Sequence, residues 1–263
     1  MLRFARSEAE GAELIISWVA MLLDALVLLR GIRGRLLSRY PFFYAFVAGV
    51  LLLDGPTLYV YKRLPSLYRT WYWSAEFLTL VLACGIVLEV FRHVLSPYPG
   101  ADRFARITGI FAFTVILCSS GVYPLLERNG SVSGTMEELE RNVRSVQAVF
   151  LVALLALISY YGIRIGRNMK GMIVGYGLSI AASLISMASY SYADGRFTAI
   201  SRLAQQLGYT LPVAIWAVTL WSYAPNPEDA PAARIEEDYG QLVGRTRAAM
   251  GTMRAYLGKA VGP

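Results

Sequence analysis

Residues 71–90 read WYWSAEFLTLVLACGIVLEV, and only Glu76 and Glu89 are charged. A helix rises about 1.5 Å per residue, so a run of this length covers about 30 Å, the hydrocarbon thickness of a bilayer. The run opens on Trp71-Tyr72-Trp73, with Tyr59, Tyr61 and Tyr68 just before it. Aromatic residues in that position form an interfacial belt. Working outward, six more apolar runs lie at 14–29, 41–61, 104–126, 146–163, 172–192 and 200–223. The whole chain is 56% apolar and 16% charged, against roughly a quarter charged in soluble proteins. The expected fold is all-α: a polytopic membrane protein with a seven-transmembrane-helix bundle over 14–223. A short extracytoplasmic N-terminal tail (1–13) precedes it. A Pro-rich connector and a cytoplasmic amphipathic C-terminal helix (224–263) follow.

Basic residues set the orientation, because short cytoplasmic loops carry the excess of arginine and lysine. The stretches 30–39, 92–106 and 164–170 and the C-terminal tail together hold fifteen. The opposite side holds ten, diluted by Glu8, Glu10, Glu13, Glu127, Glu137, Glu138, Glu140 and Asp194. The N-terminus is therefore expected outside and the C-terminus in the cytoplasm, in a cell inner (cytoplasmic) membrane. The net charge of +7 suits an inner face against anionic lipid and requires no nucleic acid. Met1-Leu2-Arg3 resembles the start of a signal peptide. Three glutamates separate it from the apolar run and no small-residue cleavage site follows, which favours a translocated tail.

Loop chemistry adds detail. Asn129-Gly130-Ser131 is a turn and matches a glycosylation sequon, and Thr135 with Glu138 fits a capping box. Glu137 with Arg141 and Glu140 with Arg144 are i,i+4 pairs, so span five is expected to begin as a helix above the membrane and enter it unbroken. Span six opens on Gly171-xxx-Gly175 and stays slim through Ala181, Ala182, Ser183, Ser186 and Ala188, which predicts a central position. Pro225, Pro227 and Pro231 make a stiff connector. After it, Ile235, Tyr239, Leu242, Ala249, Met253 and Leu257 recur at helical spacing behind Glu236-Glu237-Asp238. That helix must bury its stripe on the membrane, under the bundle, against a cytoplasmic partner or in a homo-oligomer. Cys84 and Cys118 fall inside spans three and four and read as small buried hydrophobes.

Four carboxylates interrupt the apolar runs: Asp24, Asp54, Glu76 and Glu89. Each costs about 2.5–3.5 kcal/mol on insertion scales and persists mainly where it faces the bundle interior or water. Span direction puts Asp54 and Glu76 at similar depth in the outer half, Asp24 below the midplane, and Glu89 at the inner edge, reaching toward Arg92 or Arg30. On span seven Arg202, Gln205, Gln206, Tyr209, Pro212 and Trp216 share one face. Span six contributes Tyr176, Ser179, Ser183, Ser186 and Tyr190 at similar spacing. Asp54-Gly55-Pro56 is expected to break span two and free backbone carbonyls. A polar cavity opening outward between spans two, three, six and seven follows, with Asp54, Glu76, Arg202, Gln205, Gln206, Tyr209, Ser183 and Ser186 as candidate ligand-binding residues. The same groups read structurally as partners that hold the bundle together.

Several chemistries find no support. One histidine, His93, makes a bis-histidine haem or a multi-histidine metal site impossible within one chain. Lysine occurs only at 62, 170 and 259, so span seven carries none for a retinal Schiff base. Phosphate-loop, HExxH and G-x-S-x-G signatures are missing. No cofactor, catalytic residue or metal site is predicted, and the chain does not read as an enzyme.

Arg30-Gly31-Ile32-Arg33 turns into Tyr40-Pro41, Leu139-Glu140-Arg141 leads to Ser145-Val146-Gln147, and Tyr98-Pro99-Gly100, Gly166-Arg167-Asn168 and Trp221-Ser222-Tyr223 stand at further span boundaries. In these motifs the chain resembles a family of seven-span bacterial integral membrane proteins without an assigned function. The resemblance covers most of the chain and implies no activity. The leading expectation is a receptor- or sensor-like protein that binds a small molecule or lipid in the outward cavity and signals through inner loops and tail. A small-solute or proton-coupled transporter is the first alternative, although an odd number of spans without a visible repeat speaks against inverted-repeat designs. A structural or anchoring subunit of a membrane complex is the second.

Overall fold

A computed structural model describes residues 2–126, 132–192, 198–227 and 232–260. Asn129-Gly130-Ser131 and the side chains of Asp54, Thr135, Arg202, Gln205 and Gln206 lie outside the described residues. Every regular element described is a helix: α1 (Leu2–Arg33), α2 (Pro41–Arg63), α3 (Pro65–Leu95), α4 (Pro99–Leu126), α5 (Val132–Tyr161), α6 (Arg167–Tyr192), α7 (Thr198–Thr219) and α8 (Ala232–Ala260). Prolines open α2, α3 and α4 at Pro41, Pro65 and Pro99, where the missing N–H would be unpaired in any case. Gly162, at φ +64°, ends α5 in the left-handed conformation that glycine adopts at low cost.

Among the described residues four segments are long and apolar enough to cross a membrane: Ile15–Arg33, Ser66–Leu95, Met136–Tyr161 and Arg167–Ala188. Two shorter apolar helices accompany them, Pro41–Leu53 and Leu207–Thr219. Large apolar side chains also point away from the bundle. Leu22, Leu52, Phe111, Val149 and Val218, on five different helices, are each at least 65% exposed. A soluble surface rarely carries apolar patches of this extent, and the pattern suits a membrane protein.

Each helix packs against its neighbour in the chain from α1 to α7, and α7 returns to α1, closing a ring. α3 also reaches across to α5 and α6. It supplies Leu80, Ala83, Cys84, Ile86, Val87 and Val90 to the buried core. The central position expected for span six is thus occupied by α3. The small residues of α6 serve a closer purpose. A Cβ on Gly171 would collide with Thr219 and one on Gly175 with Trp216, while Gly208 of α7 lies against Ala182. α6 and α7 approach at glycine distance on both sides of one seam.

Three further expectations change. α2 runs unbroken through Pro56, and beside it the Thr57 hydroxyl donates to the Leu53 carbonyl one turn back at 2.6 Å. α5 starts at Val132, so Thr135 sits inside the helix and is not its cap. The helix itself runs without a break into the apolar segment, as its charge pairs imply. Cys118 is exposed on α4, whereas Cys84 is buried.

Replacing Gly171 with valine should lower the thermal midpoint in detergent, since overpacking a seam of this kind costs about 1–3 kcal/mol. Gly251 of α8 has nothing within 4 Å of an added Cβ. Gly251→Ala should leave the midpoint unchanged or raise it slightly, the gain in helix propensity being up to about 1 kcal/mol.

Candidate functional site

Regular helical spacing gathers polar side chains at the end of the bundle away from α8. α3 brings Tyr72, Glu76 and Thr79, α5 brings Glu140 and Arg144, and α6 brings Ser179 and Ser183. In each case the residues recur three or four apart, which puts them on one face. α2 adds Phe46, Val50, Leu53 and Thr57, and α7 adds Gly208 and Tyr209. Together they line a cavity of about 380 Å³, within the range that holds a small molecule.

Glu76, Ser183 and Tyr209 come together on the cavity wall. Ser186 is buried but is not among the lining residues. The side chains of Asp54, Arg202, Gln205 and Gln206 lie outside the described residues. The fifth helix was not anticipated: Arg144 and Glu140 of α5 line the same space, their Nε–Oε1 separation being 3.4 Å. Glu140 and Arg144 are legible in sequence as a helical charge pair. The further signal was Gln147, which extends the file by another turn on a helix that becomes apolar.

Beneath the cavity the polar file continues into the core. The Tyr176 hydroxyl donates to Gln147 Oε1 at 3.0 Å, and Gln147 Nε2 donates to Cys84 Sγ at 3.6 Å. Gln147 and Tyr176 are both essentially inaccessible. On the opposite wall the Tyr209 hydroxyl donates to Asp24 Oδ2 of α1 at 2.7 Å. At the rim Trp71 Nε1 donates to Thr57 Oγ1 at 2.9 Å. Tyr68, Tyr72 and Trp73 pack ring against ring. Tyr72 is thus a wall residue as well as a member of the aromatic belt.

The other end of the bundle carries a second polar assembly. Glu89 does not reach out to Arg92 or Arg30. It is 4% exposed, and its oxygens accept the backbone N–H groups of Phe42 at 3.2 Å and Phe43 at 2.8 Å. α2 has no side-chain cap of its own at Tyr40, so a carboxylate from α3 satisfies its first turn and meets the positive end of its dipole. Burial pushes the Tyr40 hydroxyl up to about 12, and its ring lies 4.9 Å from that of His93. His93 donates through Nδ1 to the Glu89 carbonyl at 2.9 Å.

The connector after α7 is tied down by the boundary motifs. Arg30 Nε donates to the Trp221 carbonyl at 2.7 Å and its guanidinium stacks on the Trp221 ring, while that of Arg39 covers Tyr223. Asn168 donates to Ser222 O and accepts from Ala224 N, and Asn226 accepts from Gly166 N and donates to His93 O. α8 then docks by its first turns. Glu236 accepts the Gly100 N–H at the start of α4 at 3.0 Å, Asp238 accepts the Tyr161 hydroxyl at the end of α5 at 3.0 Å, and Ile235 is buried. Leu242 and Met250 are exposed, so the stripe meets the bundle at its beginning and leaves it by Leu242, while the side chains of Met253 and Leu257 lie outside the described residues.

No group of three or more histidine, cysteine, aspartate or glutamate side chains is placed to hold a metal among the described residues. No family model, no curated protein and no solved structure matches this chain.

Arg144→Met should destabilise the protein by about 1–3 kcal/mol, because it strands Glu140 in a partly buried wall. Adding Glu140→Gln should return part of that loss, and a double-mutant cycle in detergent melts should report a coupling of about 0.5–3 kcal/mol.

Proposed function

We propose that this chain is a seven-span integral membrane protein of the bacterial inner membrane, with its N-terminus outside. In this reading it is receptor- or sensor-like. It binds a small molecule or lipid in the outward cavity and signals through the inner loops and α8. The observation that carries the proposal is the cavity itself. Five helices converge on it, and it joins Glu76, Glu140 and Arg144 with Tyr72, Tyr209, Ser179 and Ser183. Charged and aromatic groups clustered in an apolar bundle are costly unless they serve a ligand or each other.

A route to the other side supports the sensor reading. Arg144 and Tyr161 belong to the same uninterrupted helix, α5. Arg144 lines the cavity, and Tyr161 holds Asp238 of α8. The two positions stand about 25 Å apart along the helix axis, so a ligand that tilts or rotates α5 moves the anchor of α8. A proton-coupled transporter is the second reading, favoured by one contact: Tyr209, on the cavity wall, is bonded to the buried Asp24.

Native mass spectrometry of protein released from lipid nanodiscs should show a retained small molecule or lipid. Ser183→Trp, which fills the cavity, should abolish retention while leaving the melting profile intact. Equal retention in the filled variant would sink the cavity as its site. A cysteine at Thr246 should be labelled only after the inner face is opened, and labelling in intact spheroplasts would reverse the orientation.

A further inference from the structure

Asp24 is 1% exposed and lies in the middle of the span-length segment Ile15–Arg33. It does not line the cavity. It sits one hydrogen bond behind the wall, because Tyr209, whose side chain forms part of that wall, donates its hydroxyl hydrogen to Asp24 Oδ2 at 2.7 Å. An ionisable group at this depth marks a functional position by default. A phenol between water and a carboxylate has the chemistry of a relay.

We propose that Asp24 is a proton-binding site, loaded from the cavity through the Tyr209 hydroxyl. The step balances without any redox partner. A hydronium ion in the cavity gives a proton to the Tyr209 oxygen as the phenolic hydrogen passes to Oδ2. The outcome is a neutral tyrosine, a protonated Asp24 and a water molecule. The proposal needs the cavity to meet water and needs no other ligand in it, so it stands apart from the receptor reading.

The described surroundings of Asp24 are mostly apolar. α1 is flanked by α7 and α2. From α7 come Tyr209 and, one turn further, Val213. α1 itself continues with Val27, and both valines are buried. The next polar groups along the seam are the Tyr44 hydroxyl of α2, whose ring covers Gly31, and Trp216 Nε1 of α7, against Gly175. Both are buried and neither has a hydrogen-bond partner among the described residues. Among the described residues the charged groups around this region are Glu76, Glu140 and Arg144 on the cavity wall and Arg30 at the far end of α1. Protons thus reach Asp24 from the cavity through the Tyr209 hydroxyl.

Infrared difference spectroscopy on the full chain in lipid membranes tests this directly, with the proton as the probe. Acidification should produce the carbonyl band of a protonated carboxyl. That band should vanish in Asp24→Asn and remain in Glu76→Gln and Glu89→Gln. Tyr209→Phe should keep the band but slow its hydrogen–deuterium exchange by roughly tenfold or more, since the hydrogen-bonded relay to the cavity is gone. A wild-type protein without a titrating band, or a band indifferent to Asp24→Asn, overturns the site. Unchanged exchange in Tyr209→Phe overturns the route, and this second variant keeps the test decisive if Asp24→Asn does not fold. Failure to retain any small molecule would count against the receptor reading alone.

Discussion

Lipid offers no hydrogen bonds, and this constraint organises the molecule. A polar group within the hydrocarbon must be satisfied by protein or by enclosed water. Glu89 caps a helix that has no cap of its own. Thr57, Thr79 and Thr219 each return their hydroxyl to a carbonyl one turn back. Gln147, Tyr176 and Cys84 bond one another in the core. The cavity is where this internal satisfaction gives way to a shared polar space lined from several helices.

The two ends of the bundle are built differently. At the α8 end, backbone carbonyls and N–H groups are taken up one by one by Arg30, Asn168, Asn226 and Glu236. The result is a stapled rim. At the other end, aromatic rings and charged groups stand around a volume of about 380 Å³.

Much of this was legible in the sequence, for identifiable reasons. Apolar runs separated by basic loops announce helices in a membrane. Side-chain periodicity placed Glu76, Ser183 and Tyr209 on inward faces before their meeting could be seen. What periodicity does not carry is ring order. Nothing in span five alone tells that Glu140 and Arg144 turn toward Glu76, because that depends on α3 crossing the interior to meet α5. Glu89 was misread for a related reason: its partner is the backbone of another helix, and backbone donors leave no trace in composition. Pro56 reads as a break because proline removes a ladder donor, yet the neighbouring helices hold α2 continuous across it. The glycines of α6 correctly signalled close approach, but they described a pairwise seam with α7 and not a place at the centre.

Ring closure has a consequence for how the protein is made. The bond between Asp24 and Tyr209 joins residues 185 positions apart, so the first helix enters the bilayer long before its partner exists. At a synthesis rate of about 5–20 residues per second, the ribosome needs roughly 10–40 s to supply the seventh. For that interval α1 carries a carboxylate into lipid without the tyrosine that will later receive it. The nascent helix must therefore wait beside something polar, such as the lateral opening of the insertion machinery, and release from it becomes the last event of assembly. A change that weakens this pairing would then be felt first as a failure of biogenesis, in the yield of inserted protein, before any activity is measured.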